Sequence, residues 1–149
     1  MATAAVLGGV LALPLCCWAE GAVKDLPFKT IEQGSQSGIS DRKFVTVSTD
    51  ADWSDLWRKH TANILPAPVR AKVDFAKEMV IAAFSGQRNS GGYTIKIERI
   101  ESTPRETIVR IKESSPPPGS INTMAITQPF KIVRVSKNGI AQKVRFNVK

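Results

Sequence analysis

Met79 to Ile100 constrains this chain more than any other stretch, because an apolar run, a glycine-rich segment and an alternating segment follow one another there without interruption. Val80 to Phe84 is short and continuously apolar, the pattern of a strand buried on both faces. Tyr93, Ile95 and Ile97 alternate with Thr94, Lys96 and Glu98, giving a second strand with one apolar and one wet face. Between them, Gly86-Gln87-Arg88-Asn89-Ser90-Gly91-Gly92 tolerates positive φ and predicts a chain reversal, read as a long hairpin connection. The core is therefore expected to be β, with a shaped, exposed loop at one end.

The flanks extend this reading. Pro27 to Glu32 can form a first strand anchored by Phe28, after a polar lead-in over Glu20 to Asp25; Gln33 to Ser40 reads as loop. Phe44 to Val47 returns to β-type residues. A helix follows: Thr49 and Asp52 stand at capping-box spacing, and Trp53, Leu56, Trp57 and His60 recur at i, i+3, i+4 and i+7 on one face. Two indoles on so short a helix predict that it plugs the sheet. Pro66 and Pro68 force the next segment to run extended, and Asp74 is placed to cap a turn.

Thr107, Val109 and Ile111 predict a strand pairing with the preceding one through Ser102-Thr103-Pro104. Ser114 to Ser120, with three consecutive prolines and a glycine, reads as a rigid polyproline-like connection. Pro129 to Ser136, Asn138-Gly139 and the alternation of Val144, Phe146 and Val148 together predict a terminal hairpin. The expected fold is a mostly β single domain: an antiparallel β-sandwich or partly closed barrel of about seven strands with one short amphipathic helix.

Met1 to Ala19 carries no charged side chain, and its apolar part from Ala4 to Leu15 has the length of a secretory h-region, short of the about 20 residues that span a bilayer. Small residues at Cys17 and Ala19 place cleavage before Glu20. The expected organisation is a signal peptide over 1–19, an N-terminal segment over 20–43 and a β domain over 44–149, exported to a periplasmic or extracellular compartment. No transmembrane anchor is expected. Leu15 and Cys16 stand where a lipobox needs a small residue, which argues against a lipid anchor on Cys16 or Cys17. Cleavage would remove both cysteines and with them any thiol chemistry.

Motifs for catalysis are lacking. Gly86 to Gly92 is followed by Tyr93 and a strand rather than by Lys-Ser/Thr and a helix, so it is no phosphate loop. His60 is the single histidine and lies on the face of the two tryptophans, where a packed, hydrogen-bonded imidazole is expected rather than a catalytic base. No ligand cluster suggests a metal, and no cofactor or catalytic residue is assigned. The net charge of +8 is spread along alternating strands. Solvated sheet faces or an attraction to anionic envelope polymers account for it, and no aromatic sheet signature for nucleic acid is present. Arg134 interrupts an otherwise apolar strand, where it could pair with a carboxylate at a sheet edge or contact a partner.

Gly86-x-Arg88-x-Ser90-Gly91-Gly92-Tyr93 is preceded by Val73-Asp74-Phe75 and Met79-Val80 and followed by Pro117-x-Gly119 and Thr127-Gln128-Pro129-Phe130-x-Ile132-Val133-Arg134-Val135. In this order the motifs resemble the PrcB C-terminal domain family, over roughly Phe44 to Phe146. The resemblance implies a non-catalytic accessory domain that binds a secreted protease or its precursor and supports its assembly or stability. On that reading Arg88, Asn89, Ser90, Gly91, Gly92 and Tyr93, with Pro117 and Gly119, form the partner surface. Arg88 would be a directional donor, Tyr93 an amphipathic anchor and Gly91-Gly92 a point of close backbone approach. Ser90-Gly91-Gly92-Tyr93 is also similar to part of the Asn-Pro-Thr-Thr-Gly-Tyr loop of chagasin-type protease inhibitors. Arg88 and Asn89 stand there in place of Asn and Pro, and Gly91 replaces a Thr.

Overall fold

The computed structural model describes residues 21–149; the expected signal peptide and its cleavage site lie outside the described residues. The order is β1 (Lys24–Asp25), β2 (Phe28–Gly34), β3 (Lys43–Val47), α1 (Asp50–His60), β4 (Glu78–Phe84), β5 (Thr94–Ser102), β6 (Thr107–Ser114), β7 (Phe130–Ser136) and β8 (Val144–Val148). Two four-stranded sheets result, ordered β1-β5-β6-β8 and β2-β7-β4-β3, and neither closes into a barrel. The mostly β sandwich with one helix is as expected.

The continuous apolar run of β4 has a direct cause. Met79, Ile81 and Ala83 enter the core between the sheets, with Ile95, Ile97, Ile100, Val109 and Ile111 opposite. Val80, Ala82 and Phe84 face the other way, into a second core beneath α1. β7 divides in the same way: Val133 and Val135 point between the sheets, Phe130 and Ile132 toward the helix. The molecule is thus helix on sheet on sheet, and the layer buried on both sides is written in uninterrupted apolar residues.

Helix α1 begins as its sequence predicts, with the Thr49 hydroxyl accepting the Asp52 N–H. Trp53, Leu56, Trp57 and His60 are its buried residues. Burial of each indole contributes about 4–6 kcal/mol at about 25 cal/mol per Å². Their polar tips are satisfied as well: Trp53 Nε1 donates to the Ala71 carbonyl (3.0 Å) and Trp57 Nε1 to that of Pro68 (3.2 Å). The proline-rich segment is thereby tied to the helix it follows.

Several expectations are corrected. Gly86 to Gly92 does not close a hairpin, because β4 and β5 belong to different sheets. β4 is already hydrogen-bonded by β3 on one side and β7 on the other, so β5 finds no free edge there and crosses to the second sheet. The terminal hairpin fails for the same reason. β7 lies between β2 and β4, and β8 instead pairs with β6, in parallel. The Asn138-Gly139 turn forms, with Gly139 at φ +89°, but it redirects the chain between sheets. Lys24 and Asp25 of the lead-in pair with Ser102 and Glu101. Arg134 does meet a carboxylate, Glu78 at 3.9 Å, but from an interior strand and not an edge.

One irregularity preserves the core. A bulge between Ile97 and Arg99 shifts the phase of β5, so that Ile100 as well as Ile95 and Ile97 is buried.

Candidate functional site

The glycine-rich loop is fixed on both flanks. Ser85 N–H donates to the Pro129 carbonyl and Gln87 N–H to that of Ser40. Arg88 and Thr127 exchange backbone hydrogen bonds of 2.7 and 2.9 Å. The Thr127 hydroxyl donates to the Ser90 carbonyl (2.8 Å), and Gly91 N–H donates to that of Thr123 (2.8 Å). Gly92, at φ +87°, sits so close to the following loop that a Cβ would fall 2.8 Å from Pro116 Cβ and 2.6 Å from Asn122 Oδ1. The loops carrying Arg88–Tyr93 and Pro116–Thr127 are therefore one packed unit.

The Arg88 guanidinium lies 5.1 Å from the Tyr93 ring centroid, and its Nε and Nη2 donate to Ser85 Oγ at 3.3 and 3.0 Å. Among the described residues no carboxylate pairs with Arg88. It borders a cavity of about 290 Å³ shared with Tyr93, Glu113, Ser114, Ser115 and Lys149, in which Glu113 is already held by Arg42 at 3.0 Å. Stacked, half-buried and uncompensated, this cation is placed for a charge-assisted bond through Nη1.

The structure thus brings Arg88, Ser90, Gly91, Gly92 and Tyr93 together with the Pro116 loop. Asn89, Pro117 and Gly119 are exposed. The tip of the second loop is a turn with Gly119 at φ +78°, closed by Ser120 N–H to the Pro117 carbonyl, and nothing lies within 4 Å of a Cβ placed on Gly119. The close approach of Gly92 is to the chain's own loop.

Sequence reasoning missed the apolar part of this surface. Ile121, Met124 and Ile126 are exposed on the segment that staples the glycine loop. The available signal was three large apolar residues in a proline- and glycine-marked connection that shows no strand alternation.

Residues 79–136 match the PrcB C-terminal family. The matched segment runs from β4 through β7, and its first and last strands are neighbours, with Met79 opposite Val135. Both loops of the candidate surface lie inside it, so the matched residues close on themselves through β4–β7 pairing and carry the surface within. No curated protein and no solved structure matches the chain.

His60 resides in a second polar cluster. Its Nδ1 lies 2.9 Å from Ser37 Oγ and its Nε2 3.2 Å from Glu32 Oε2. This places serine and carboxylate on the opposite ring nitrogens from a hydrolase triad. Ser37 is only 3% exposed, and its oxygen already accepts the Ile39 N–H. Phe130, 4.3 Å away between ring centroids, and Trp57 enclose the imidazole. Burial pushes the His60 pKa below its ordinary 6.5, opposed by the hydrogen bond and charge of Glu32. The cluster ties β2 and the Ser37 loop to the end of α1. Neither Ser37 nor Glu32 was singled out from sequence, since only the fold brings them to His60. Among the described residues no group of side chains is arranged to hold a metal ion.

On the outer face of the β1-β5-β6-β8 sheet, much of the basic character is locally compensated. Arg99 pairs with Asp25 (2.5 Å), Arg110 with Glu101 (3.0 Å) and Arg145 with Glu106 (3.0 Å).

Proposed function

We propose that this chain is an exported, non-catalytic accessory domain that binds a secreted protease or its precursor through the joined Arg88–Tyr93 and Pro116–Thr127 loops. The observation that carries the reading is the exposure of Ile121, Met124 and Ile126 on a loop held rigid against the glycine segment. Apolar side chains in water on a pre-ordered backbone lose little conformational entropy when a partner covers them. Arg88 then supplies an orienting donor for a partner carboxylate or carbonyl beside that patch. The PrcB C-terminal match supports a role in a protease complex, because both loops lie within the matched residues. The ion pairing of Arg99, Arg110 and Arg145 favours this reading over attraction to an anionic polymer.

The test is affinity capture from cell-envelope and secreted fractions, comparing the unmodified chain with an Arg88→Ala/Ile121→Ser/Met124→Ser variant that keeps its circular dichroism spectrum. Retention of a protease or zymogen by the first and not the second is expected. Equal retention by both would sink the proposal. A papain inhibition assay on the same preparations separates an accessory domain from an inhibitor of the chagasin type.

A further inference from the structure

A concavity away from the Arg88–Tyr93 cavity lies between α1 and β3. It has a volume of about 610 Å³, with Val45 and Val47 on one wall and Asp52, Asp55 and Leu56 on the other. β3 is the outermost strand of its sheet. The hydrogen-bonding phase of that strand follows from its neighbours. Ser85 N–H bonds the Pro129 carbonyl, one step beyond the Phe84–Phe130 pair, so alternate β4 residues Met79, Ile81 and Ala83 bond β7, while Val80, Ala82 and Phe84 bond β3. These last are opposite Val47, Val45 and Lys43. Phe44 and Thr46 therefore direct their N–H and C=O groups to the open side, and among the described residues nothing accepts or donates there.

We propose that this groove binds an extended polypeptide segment that adds to β3 as an antiparallel strand, with a lysine or arginine near the segment's N-terminus. The backbone offers the hydrogen bonds, and α1 supplies the second wall that a bare sheet edge lacks. Charge sets the polarity. Antiparallel addition brings the N-terminal end of the segment beside Val47, where α1 presents Asp52 and Asp55. Asp52 has no cationic partner among the described residues, whereas Asp55 pairs with Arg58 of its own helix. Lys43, Lys59 and Asp41 line the far end of the groove, so the acidic end is the one that a basic side chain can read. Side chains at alternate positions of the segment face Leu56 and Val45, which favours aliphatic residues there.

The opposite edge of the same sheet is less suited. β2 carries a register shift between Thr30 and Glu32, and Glu32 is engaged by His60. The proposal does not depend on the reading of the Arg88–Tyr93 surface given above.

The probe is a C-terminally fluorescein-labelled Lys-Thr-Val-Thr-Val-Thr-Gly amide, followed by fluorescence anisotropy with the full chain. In the proposed register its first two threonines are opposite Thr46 and Phe44, and its valines direct their N–H groups outward. N-methylation of those threonines should weaken binding at least about tenfold, and N-methylation of the valines should leave it unchanged. Replacing the peptide lysine by glutamate, or making Asp52→Lys in the protein, should each weaken binding about threefold or more. The sign is informative because the chain as a whole carries +8, which by itself favours the glutamate peptide. Amide exchange at Phe44 and Thr46 should slow on binding while that of Val45 does not change. No saturable binding, equal loss on methylating either residue type, or preference for the glutamate peptide would overturn the proposal. Slow exchange at Phe44 and Thr46 that depends on protein concentration without peptide would overturn it too, in favour of a second copy of this chain.

Discussion

Gly92→Ala and Gly119→Ala form a matched pair that tests whether the two loops are one packed unit. Both glycines are left-handed, at φ +87° and +78°. An alanine at either position incurs about 1–2 kcal/mol of backbone strain, offset by roughly 0.4–1 kcal/mol from the lower entropy of the unfolded chain. Gly119 has open space around its Cβ position, so its net loss is about 1 kcal/mol. At Gly92 the new methyl would meet Pro116 Cβ at 2.8 Å and Asn122 Oδ1 at 2.6 Å. Asn122 can turn aside; the Pro116 ring moves only with its backbone. Overpacking of this kind adds about 1–3 kcal/mol, for a total of roughly 2–4 kcal/mol. At about 3 °C per kcal/mol, Gly119→Ala should lower Tm by about 3 °C and Gly92→Ala by about 6–12 °C, read by circular dichroism and checked by urea unfolding. Equal losses would refute the packing described for the two loops.

Because burial lowers the His60 pKa, the unfolded chain binds more protons than the folded one between the folded value and 6.5. Stability should therefore decline as pH falls through this window and be insensitive to this group above it; His60→Gln should lose roughly 2–4 kcal/mol at neutral pH and flatten that slope, measured by urea midpoints between about pH 5 and 8. Thr49→Ala removes the acceptor for the Asp52 N–H and should cost about 1 kcal/mol, with Thr49→Ser retaining most of it in the same unfolding assay. Ser102 donates to the Gly139 carbonyl and lies 3.3 Å from Thr107 Oγ1, which accepts the Ala141 N–H at 2.8 Å. Ser102→Ala should cost about 1 kcal/mol and speed amide exchange at Ala141, where unchanged exchange would show that this bond does not hold the β7–β8 crossing.

Local chemistry was legible where the cause is local. The Thr49 cap, the buried stripe of Trp53, Leu56, Trp57 and His60, the Asp74 turn and the two-sided burial of Val80 to Phe84 all follow from spacing and side-chain type. So does the β5–β6 pairing, because its turn joins strands that each retain a free edge. The glycines at 86, 92 and 139 were likewise readable as turn positions, and all have positive φ; the turn at Gly119 was read only as part of a rigid connection.

Strand partnership was decided elsewhere. A glycine-rich segment or an Asn-Gly pair specifies that the chain turns; whether the next strand pairs with the last depends on which edges are still free. β4 and β7 are each occupied on both sides by strands remote in sequence, so the segments after them leave for the other sheet. The meeting of Ser37 and Glu32 on His60, the apolar patch beside Arg88 and the groove between α1 and β3 depend on the same closure. Sequence alone determined most of the elements and the faces they bury, and residues 79–136 resemble the PrcB C-terminal family. Tertiary structure alone determined which edges were filled and which were left open, because backbone hydrogen bonds between strands saturate and each edge accepts one neighbour.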